Sequence, residues 1–196
     1  MNVFLKQDQD RLRQFKKLGY DIPKARNFVI SKSGITGGSM LEVGTGKGNM
    51  AAALAKKGFK IISIDIDKKS QQAAKTKLKI MKLDKLVSLK IMDAEKLKYK
   101  DGSFDYVISV NFIHHATKPV KCLTEMARVT KRKLIVADLN KTGERIMDRI
   151  HGLNGHGHAT SNISLKAVKL LLEKLGMTVK IYRDTCQTIL VAKKGD

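Results

Sequence analysis

From Met40 onward the chain alternates between short β-branched apolar runs and helix-length stretches, and this rhythm constrains the fold more than any other feature. The apolar runs are Met40–Val43, Lys60–Ile64, Leu86–Ile91, Tyr106–Val110 and Lys133–Ala137. Helical stretches at Asn49–Lys57, Lys68–Leu83 and Pro119–Val129 separate them. Near-continuous apolar runs of this length are strands covered on both faces. Strand–helix–strand units close with right-handed crossovers and build a parallel sheet with helices on both sides. Two more helices follow, Thr142–His151 and Leu165–Leu175, the second capped by Ser164 and stopped at Gly176. The last strands, Met177–Tyr182 and Gln187–Ala192, are close enough to pair as an antiparallel hairpin across Asp184-Thr185. That pairing places an antiparallel member at the sheet edge. The expected fold class is α/β.

The N-terminal residues stand apart from this rhythm. Lys6–Leu18 is polar and helix-prone, and Asp21-Ile-Pro-Lys reads as a helix start running to about Lys32, with Asp21 as N-cap and Pro23 in the first turn. The expected organisation is a helical lid at residues 1–38 and one domain at residues 39–196. Hydrophobic residues make up 42% and charged residues 29%, which excludes a disordered chain. The apolar runs are strand-sized, so no membrane span is expected. Met1–Asp10 carries charges and no apolar signal core, and with only Cys122 and Cys186 neither a disulfide framework nor a four-thiolate zinc site is available. A cytoplasmic location is expected.

The charge balance favours anionic partners. Lys plus Arg is 39 against 18 Asp plus Glu, a net of +21. The excess is spread along the chain, with a modest peak at Lys75, Lys77, Lys79, Lys82, Lys85 and Lys90. Trp is absent and the other aromatics are scattered, so no stacking platform for single-stranded nucleic acid is evident. A lysine-rich solvated surface explains the charge without a nucleic-acid partner.

Ligands of open α/β sheets bind at the carboxyl ends of the strands. The first such turn reads Leu41-Glu-Val-Gly44-Thr45-Gly46-Lys-Gly48-Asn49. A phosphate-binding P-loop needs a glycine where Leu41 stands and a Ser or Thr where Gly48 stands. A dinucleotide fingerprint needs its third glycine at Asn49. What remains is an acid-x-Gly-x-Gly-x-Gly turn, and an acid at Glu42 suits a cationic amine better than a pyrophosphate. The second strand ends in Asp65-Ile66-Asp67, with Asp65 17 residues past Gly48. Asp65 suits the hydroxyls of a ribose, and Asp67 suits the N-cap of the following helix. The third strand ends in Met92-Asp93-Ala94-Glu95, whose carboxylates can accept an adenine amino hydrogen.

The ordered set Leu-Glu-Val-Gly-Thr-Gly-Lys-Gly, Ile-Ser-Ile-Asp, Asp-Ala-Glu-Lys-Leu and Asp-Gly-Ser-Phe-Asp-Tyr-Val-Ile-Ser resembles the class I S-adenosylmethionine-dependent methyltransferases, closest to their small-molecule branch. The likeness covers about residues 39–140. It departs at Lys131-Arg132-Lys133, where the family usually has a Pro-Gly turn. The resemblance implies a Rossmann-like, seven-stranded, mostly parallel sheet with a C-terminal antiparallel hairpin and helices on both faces. It implies S-adenosyl-L-methionine as cofactor and a small-molecule methyl acceptor as partner. By position, Gly44, Gly46 and Gly48 with Thr45 line the methionine end and Glu42 reaches its amine. Asp65 takes the ribose, Asp93 and Ala94 the adenine, Ile66 is among the cofactor-binding residues, and Asn111 lies near the departing methyl.

Methyl transfer from a sulfonium asks mainly for alignment and exclusion of water, and for a base only where the acceptor must lose a proton. His114 and His115 follow Asn111 and are the candidate bases; capping a helix or packing under a lid is the structural alternative. His156 and His158, in the Gly-rich stretch after His151, read as substrate-contacting groups on a lid. No carboxylate or thiol lies within that stretch, so no metal is assigned there. The Asn/Asp-Pro-Pro-aromatic motif of base and glutamine methylators is absent, as is a Pro-Cys nucleophile. An RNA methyltransferase using the basic surface and a non-catalytic cofactor-binding protein stay open as alternatives.

Overall fold

The computed structural model describes residues 3–153 and 163–195. Seven strands form one sheet: β1 (Met40–Val43), β2 (Ile61–Asp65), β3 (Val87–Ile91), β4 (Phe104–Val110), β5 (Thr130–Leu139), β6 (Met177–Arg183) and β7 (Gln187–Lys194). Their order is β3-β2-β1-β4-β5-β7-β6. The strand order reverses between β1 and β4, where Val43 pairs with Ile64 on one side and Ser109 on the other. The crevice at that reversal is where such sheets bind ligands.

The antiparallel member is not at the edge. β7 pairs antiparallel with both β5 and β6, so β6 is the edge strand and runs parallel to the other five. Burial decides this order. Ile189–Ala192 of β7 is buried, whereas β6 exposes Thr178, Lys180 and Ile181. The more apolar strand takes the inner place, and a lysine guards the edge.

Among the described residues seven α-helices flank the sheet: α1 (Val3–Lys17), α2 (Ile22–Ser33), α3 (Asn49–Ala55), α4 (Lys68–Ile80), α5 (Pro119–Val129), α6 (Lys141–Leu153) and α7 (Leu165–Lys174). Alternate residues of each strand feed opposite cores. Leu41, Val107 and Leu134 face Leu123 of α5 and Leu172 of α7. Met40, Tyr106 and Ile135 face Val29 of α2, Leu54 of α3 and Leu78 of α4. A third cluster joins Phe15, Tyr20, Ile22, Leu139 and Ile150. It packs α1, α2 and α6 together above the carboxyl edge. At about 25 cal/mol per Å², each fully buried large side chain of these clusters contributes roughly 1.5–3 kcal/mol.

Local chemistry sets the element ends. Asp21 caps α2 by accepting from the Lys24 N–H at 3.1 Å, and Gly34 closes it in the left-handed region at φ 58°. The helix α4 stops at Ile80, short of Leu83, because Lys82 turns left-handed (φ 57°) and Leu83 N–H bonds back to the Leu78 carbonyl. Asn140 caps α6 through the Thr142 and Gly143 amides. The Lys131-Arg132-Lys133 departure has a simple consequence: α5 passes straight into β5 at Thr130, with no intervening turn. Among the described residues no helix is long and apolar enough to cross a membrane.

Candidate functional site

The Gly-rich turn leaves β1 at its carboxyl end and is folded tightly against β2. Gly44 N–H and Thr45 N–H both donate to the Ile64 carbonyl, at 2.9 and 3.0 Å. Gly46 N–H donates to Asp65 Oδ2 at 2.8 Å. The glycines do different work. At Gly44 (φ 88°) a Cβ would meet Phe112 at 2.7 Å, so the turn and the end of β4 can touch only without a side chain there. At Gly46 (φ 49°) a Cβ would meet nothing within 4 Å and would project into open space. A Cβ at Gly48 would meet Ala74, so Gly48 packs α3 on α4, and it lies outside the lining of both cavities described next.

Two cavities flank this turn. One, of about 190 Å³, is lined by Asp65, Ile66, Asp93, Ala94, Glu95 and Phe112 among others. The second, of about 390 Å³, lies on the other side of the turn and includes Glu42, Thr45, Gly46, Asn111, His114 and Met50. Gly44 and His115 line both, so the two form one cleft across the carboxyl edge. Residues of α1, α2 and α6, including Phe15, Ile22 and Ile150, wall the larger cavity.

Of the two acids that end β2, Asp67 caps α4, accepting from the Lys69 and Ser70 amides at 3.1 and 2.9 Å. Those bonds to Ser70 and Lys69 hold its carboxyl below the usual aspartate range. Asp65 instead faces the cleft. It accepts from Gly46 N–H and, through Oδ1, from Asp67 N–H at 3.0 Å. Each carboxylate oxygen has two acceptor sites, so capacity for a diol remains.

Glu42 is the least solvated acid of the site, at 1% exposure. It sits under the start of α3 and accepts from Ser63 Oγ at 2.5 Å. Ser63 Oγ lies 2.6 Å from Thr45 Oγ1, which accepts from Gln71 Nε2 at 3.1 Å. Burial pushes the Glu42 carboxyl up to about 7, against the opposing pull of Ser63, the Ala51 amide and the Arg26 charge. Near neutral pH it is therefore poised between acid and carboxylate.

Asn111 adopts φ 55°, in the left-handed region. Its side chain is fixed from both sides: Nδ2 donates to Tyr20 Oη at 3.1 Å and Oδ1 accepts from Gln187 Nε2 at 2.8 Å. Tyr20 Oη also accepts from Arg26 at 3.3 Å. Arg26 is 6% exposed and lines the larger cavity, and its Nε has no hydrogen-bond partner among the described residues. His114 Nδ1 lies 2.5 Å from Asp138 Oδ1, and Asp138 Oδ2 accepts from the His114 backbone N–H at 3.2 Å. An imidazole held at Nδ1 by a carboxylate presents Nε2 as its basic atom. The His115 ring lies 4.0 Å from that of His114.

Most of the residues singled out in the sequence thus converge on one cleft: Glu42, Gly44, Thr45, Gly46, Asp65, Ile66, Asp93, Ala94, Asn111, His114 and His115. His156 and His158 lie outside the described residues. Sequence reasoning missed Tyr20, Arg26 and Asp138. Asp138 had a signal, since it closes the fifth strand at the carboxyl edge. Tyr20 and Arg26 had none, because only tertiary packing brings the N-terminal helices over the turn.

Residues 41–136 match the family model described as a methyltransferase domain. The domain belongs to the class I S-adenosylmethionine-dependent methyltransferases. Among curated relatives, this methyltransferase domain is 31% identical over 126 residues to the ubiquinone/menaquinone biosynthesis C-methyltransferase UbiE of Geobacter sp. (strain M21), covering 62% of this chain and 53% of that protein. It is 28% identical over 139 residues to ribosomal RNA small subunit methyltransferase A of Caldanaerobacter subterraneus subsp. tengcongensis, covering 69% and 51%. The chain therefore spans about half the length of these relatives. The magnesium protoporphyrin IX methyltransferase of Synechocystis PCC 6803, solved with bound S-adenosylhomocysteine, superposes with a TM-score of 0.69 at 19% identity, covering 100% of this chain and 89% of that one. At that identity the likeness shows the methyltransferase fold alone.

Proposed function

We propose that the chain is an S-adenosylmethionine-dependent methyltransferase acting on a small molecule. The observation that carries this reading is the single cleft split by the Gly-rich turn, with acids for an adenosine on one side and groups for an amino acid on the other. The open space above Gly46 and the buried, partnerless Nε of Arg26 fit such a cofactor. Asp65 would accept from the ribose hydroxyls, and Asp93 with Ala94 would bound the adenine. Glu42 would face the ammonium and Arg26 the carboxylate of the methionine end. A solved structure of the same fold holds S-adenosylhomocysteine, which supports the cofactor class. The cofactor supplies a methyl group on a sulfonium, open to displacement in line.

The remaining work falls to the chain's own side chains. Helices α1, α2 and α6 exclude water from the larger cavity, and residues 1–38 act as the lid. Asn111, clamped by Tyr20 and Gln187, keeps the end of β4 in place beside the turn. His114, oriented by Asp138, takes the proton of an acceptor hydroxyl or amine at Nε2. Asp138 is a positioning residue in this scheme.

The test is transfer of labelled methyl from S-adenosylmethionine to a metabolite extract, with mass identification of the product. Labelled small-molecule product from the wild-type chain, and none from Asp65→Ala, is expected. Label appearing only in added RNA, with transfer suppressed by salt, would instead establish the RNA reading that the relative acting on ribosomal RNA raises. Bound cofactor without transfer to any acceptor would leave a binding protein.

A further inference from the structure

The larger cavity holds more positive charge than its cofactor can use. Arg11 of α1, Arg26 of α2 and Lys47 of the turn all line it. Glu42 is the one acid in its lining among the described residues. The neighbouring acids are already committed. Asp8 accepts from Lys77 at 2.8 Å and from Arg11 at 3.1 Å, and Asp138 is held by His114. At the adenosine end, Asp65 holds the turn amides and Glu95 lies 3.7 Å from both Lys118 and Lys121. S-adenosylmethionine carries an ammonium, a sulfonium and one carboxylate, and so adds a further net positive charge. Its carboxylate satisfies one cation, Arg26, which leaves Arg11 and Lys47.

Arg11 is built to hold an anion. Its guanidinium lies 5.8 Å from the Phe15 ring centre and is tethered at one corner to Asp8. Its Nε is buried with no partner among the described residues. Partial burial and the nearby Arg11 charge hold the Lys47 ammonium below the ordinary lysine range, a strain that a bound anion relieves. The surrounding wall is apolar: Phe15, Ile22, Met50, Val110, Met147 and Ile150. Four amides of the Gly-rich turn are taken up within the chain and do not wrap a phosphate. The amides of Gly44, Thr45, Gly46 and Gly48 already bond to Ile64, Asp65 and Thr45. Side-chain recognition by a planar guanidinium suits a carboxylate.

Resting on the cofactor assignment above, we infer that the methyl acceptor is an apolar molecule bearing a carboxylate, held by Arg11 and Lys47. A protonated amine is disfavoured, because it adds a cation to a low-dielectric cavity already in excess.

The test is calorimetric. Protein saturated with S-adenosylhomocysteine is titrated with phenylacetate, phenylacetamide and phenethylammonium. Phenylacetate is expected to bind roughly 10- to 100-fold more tightly than either of the others, the range for hydrogen bonds to a charged group. Arg11→Met is expected to erase that preference and Arg11→Lys to keep part of it, with S-adenosylhomocysteine affinity unchanged in both. Lys47→Met, at the exposed mouth of the cavity, is the second variant and should reduce the preference without touching Arg11. Equal binding of the amide or the ammonium, no binding of phenylacetate, or an unchanged preference in both Met variants would overturn the inference. Failure of S-adenosylhomocysteine to bind the wild-type chain would overturn the cofactor assignment itself. Its binding without carboxylate preference would overturn only the acceptor class.

Discussion

Replacing Glu42 by glutamine should make the unliganded protein more stable at alkaline pH while weakening its hold on the cofactor. The side chain is sealed beneath α3, and its carboxyl rises from the ordinary 4.5 to about 7 because burial penalises the charge. Between those two pH values the folded chain keeps a proton that the unfolded chain has released, so stability falls as pH rises. Below 4.5 both states are protonated, and above 7 both are ionised, so the loss is complete by about pH 8. At about 1.4 kcal/mol per pH unit the whole interval amounts to about 3 kcal/mol, an upper figure because the cleft relaxes and admits water. For a chain of this size that is roughly 6–12 °C in Tm. Glutamine keeps the acceptor for Ser63 and has no proton to lose. Urea unfolding of both proteins from pH 4 to 8 should therefore show the variant gaining on wild type by about 3 kcal/mol across that range. With S-adenosylhomocysteine the order reverses. The ligand's ammonium favours ionised Glu42, so wild-type affinity should rise through pH 7 and the variant's should stay flat. Parallel stability curves for the two proteins would refute the assignment of a buried, proton-holding Glu42.

Five further substitutions, the last with a rescuing partner, probe the site and its surroundings. Gly46→Val should leave a folded chain, at a cost of about 1–2 kcal/mol for a side chain at positive φ, yet abolish S-adenosylhomocysteine binding. Gly44→Ala should destabilise the fold itself, because its Cβ meets Phe112 at 2.7 Å; thermal melts separate the two effects. His114→Ala should slow methyl transfer by roughly 10²- to 10⁴-fold with cofactor affinity unchanged. Asp138→Asn should slow it less and shift the pH–rate profile, as expected of a residue that acts through the imidazole. Asp8→Asn leaves the ammonium of Lys77, itself 6% exposed, without its carboxylate and should cost about 3–5 kcal/mol. Adding Lys77→Met should restore much of that loss in denaturant titrations.

The core of the fold was legible because the sheet is buried on both faces. Continuous apolar runs such as Tyr106–Val110 can be little else, and the glycines after Val43 mark where the first strand must turn. Asp65 and Asp67 were separable for a local reason: only the residue directly before Lys68 can reach the α4 amides. What was not legible depends on packing across long sequence separations. That β7 inserts between β5 and β6 follows from which hairpin strand is more apolar over its whole length, a comparison that local alternation does not make. The contribution of Tyr20 and Arg26 depends on α2 lying over a turn about twenty residues away, and no motif encodes that. Gly48 belongs to the same class: its spacing matches the turn, but Ala74, from α4, decides what it does.

The most direct measurement is a crystal structure of the chain with S-adenosylhomocysteine. The account requires the adenosine to lie beside Asp65, Ile66 and Asp93, with the amino-acid end across Gly46 toward Glu42 and Arg26. Ligand bound at another place, or absent at saturating concentration while the Gly-rich turn keeps its form, would contradict it.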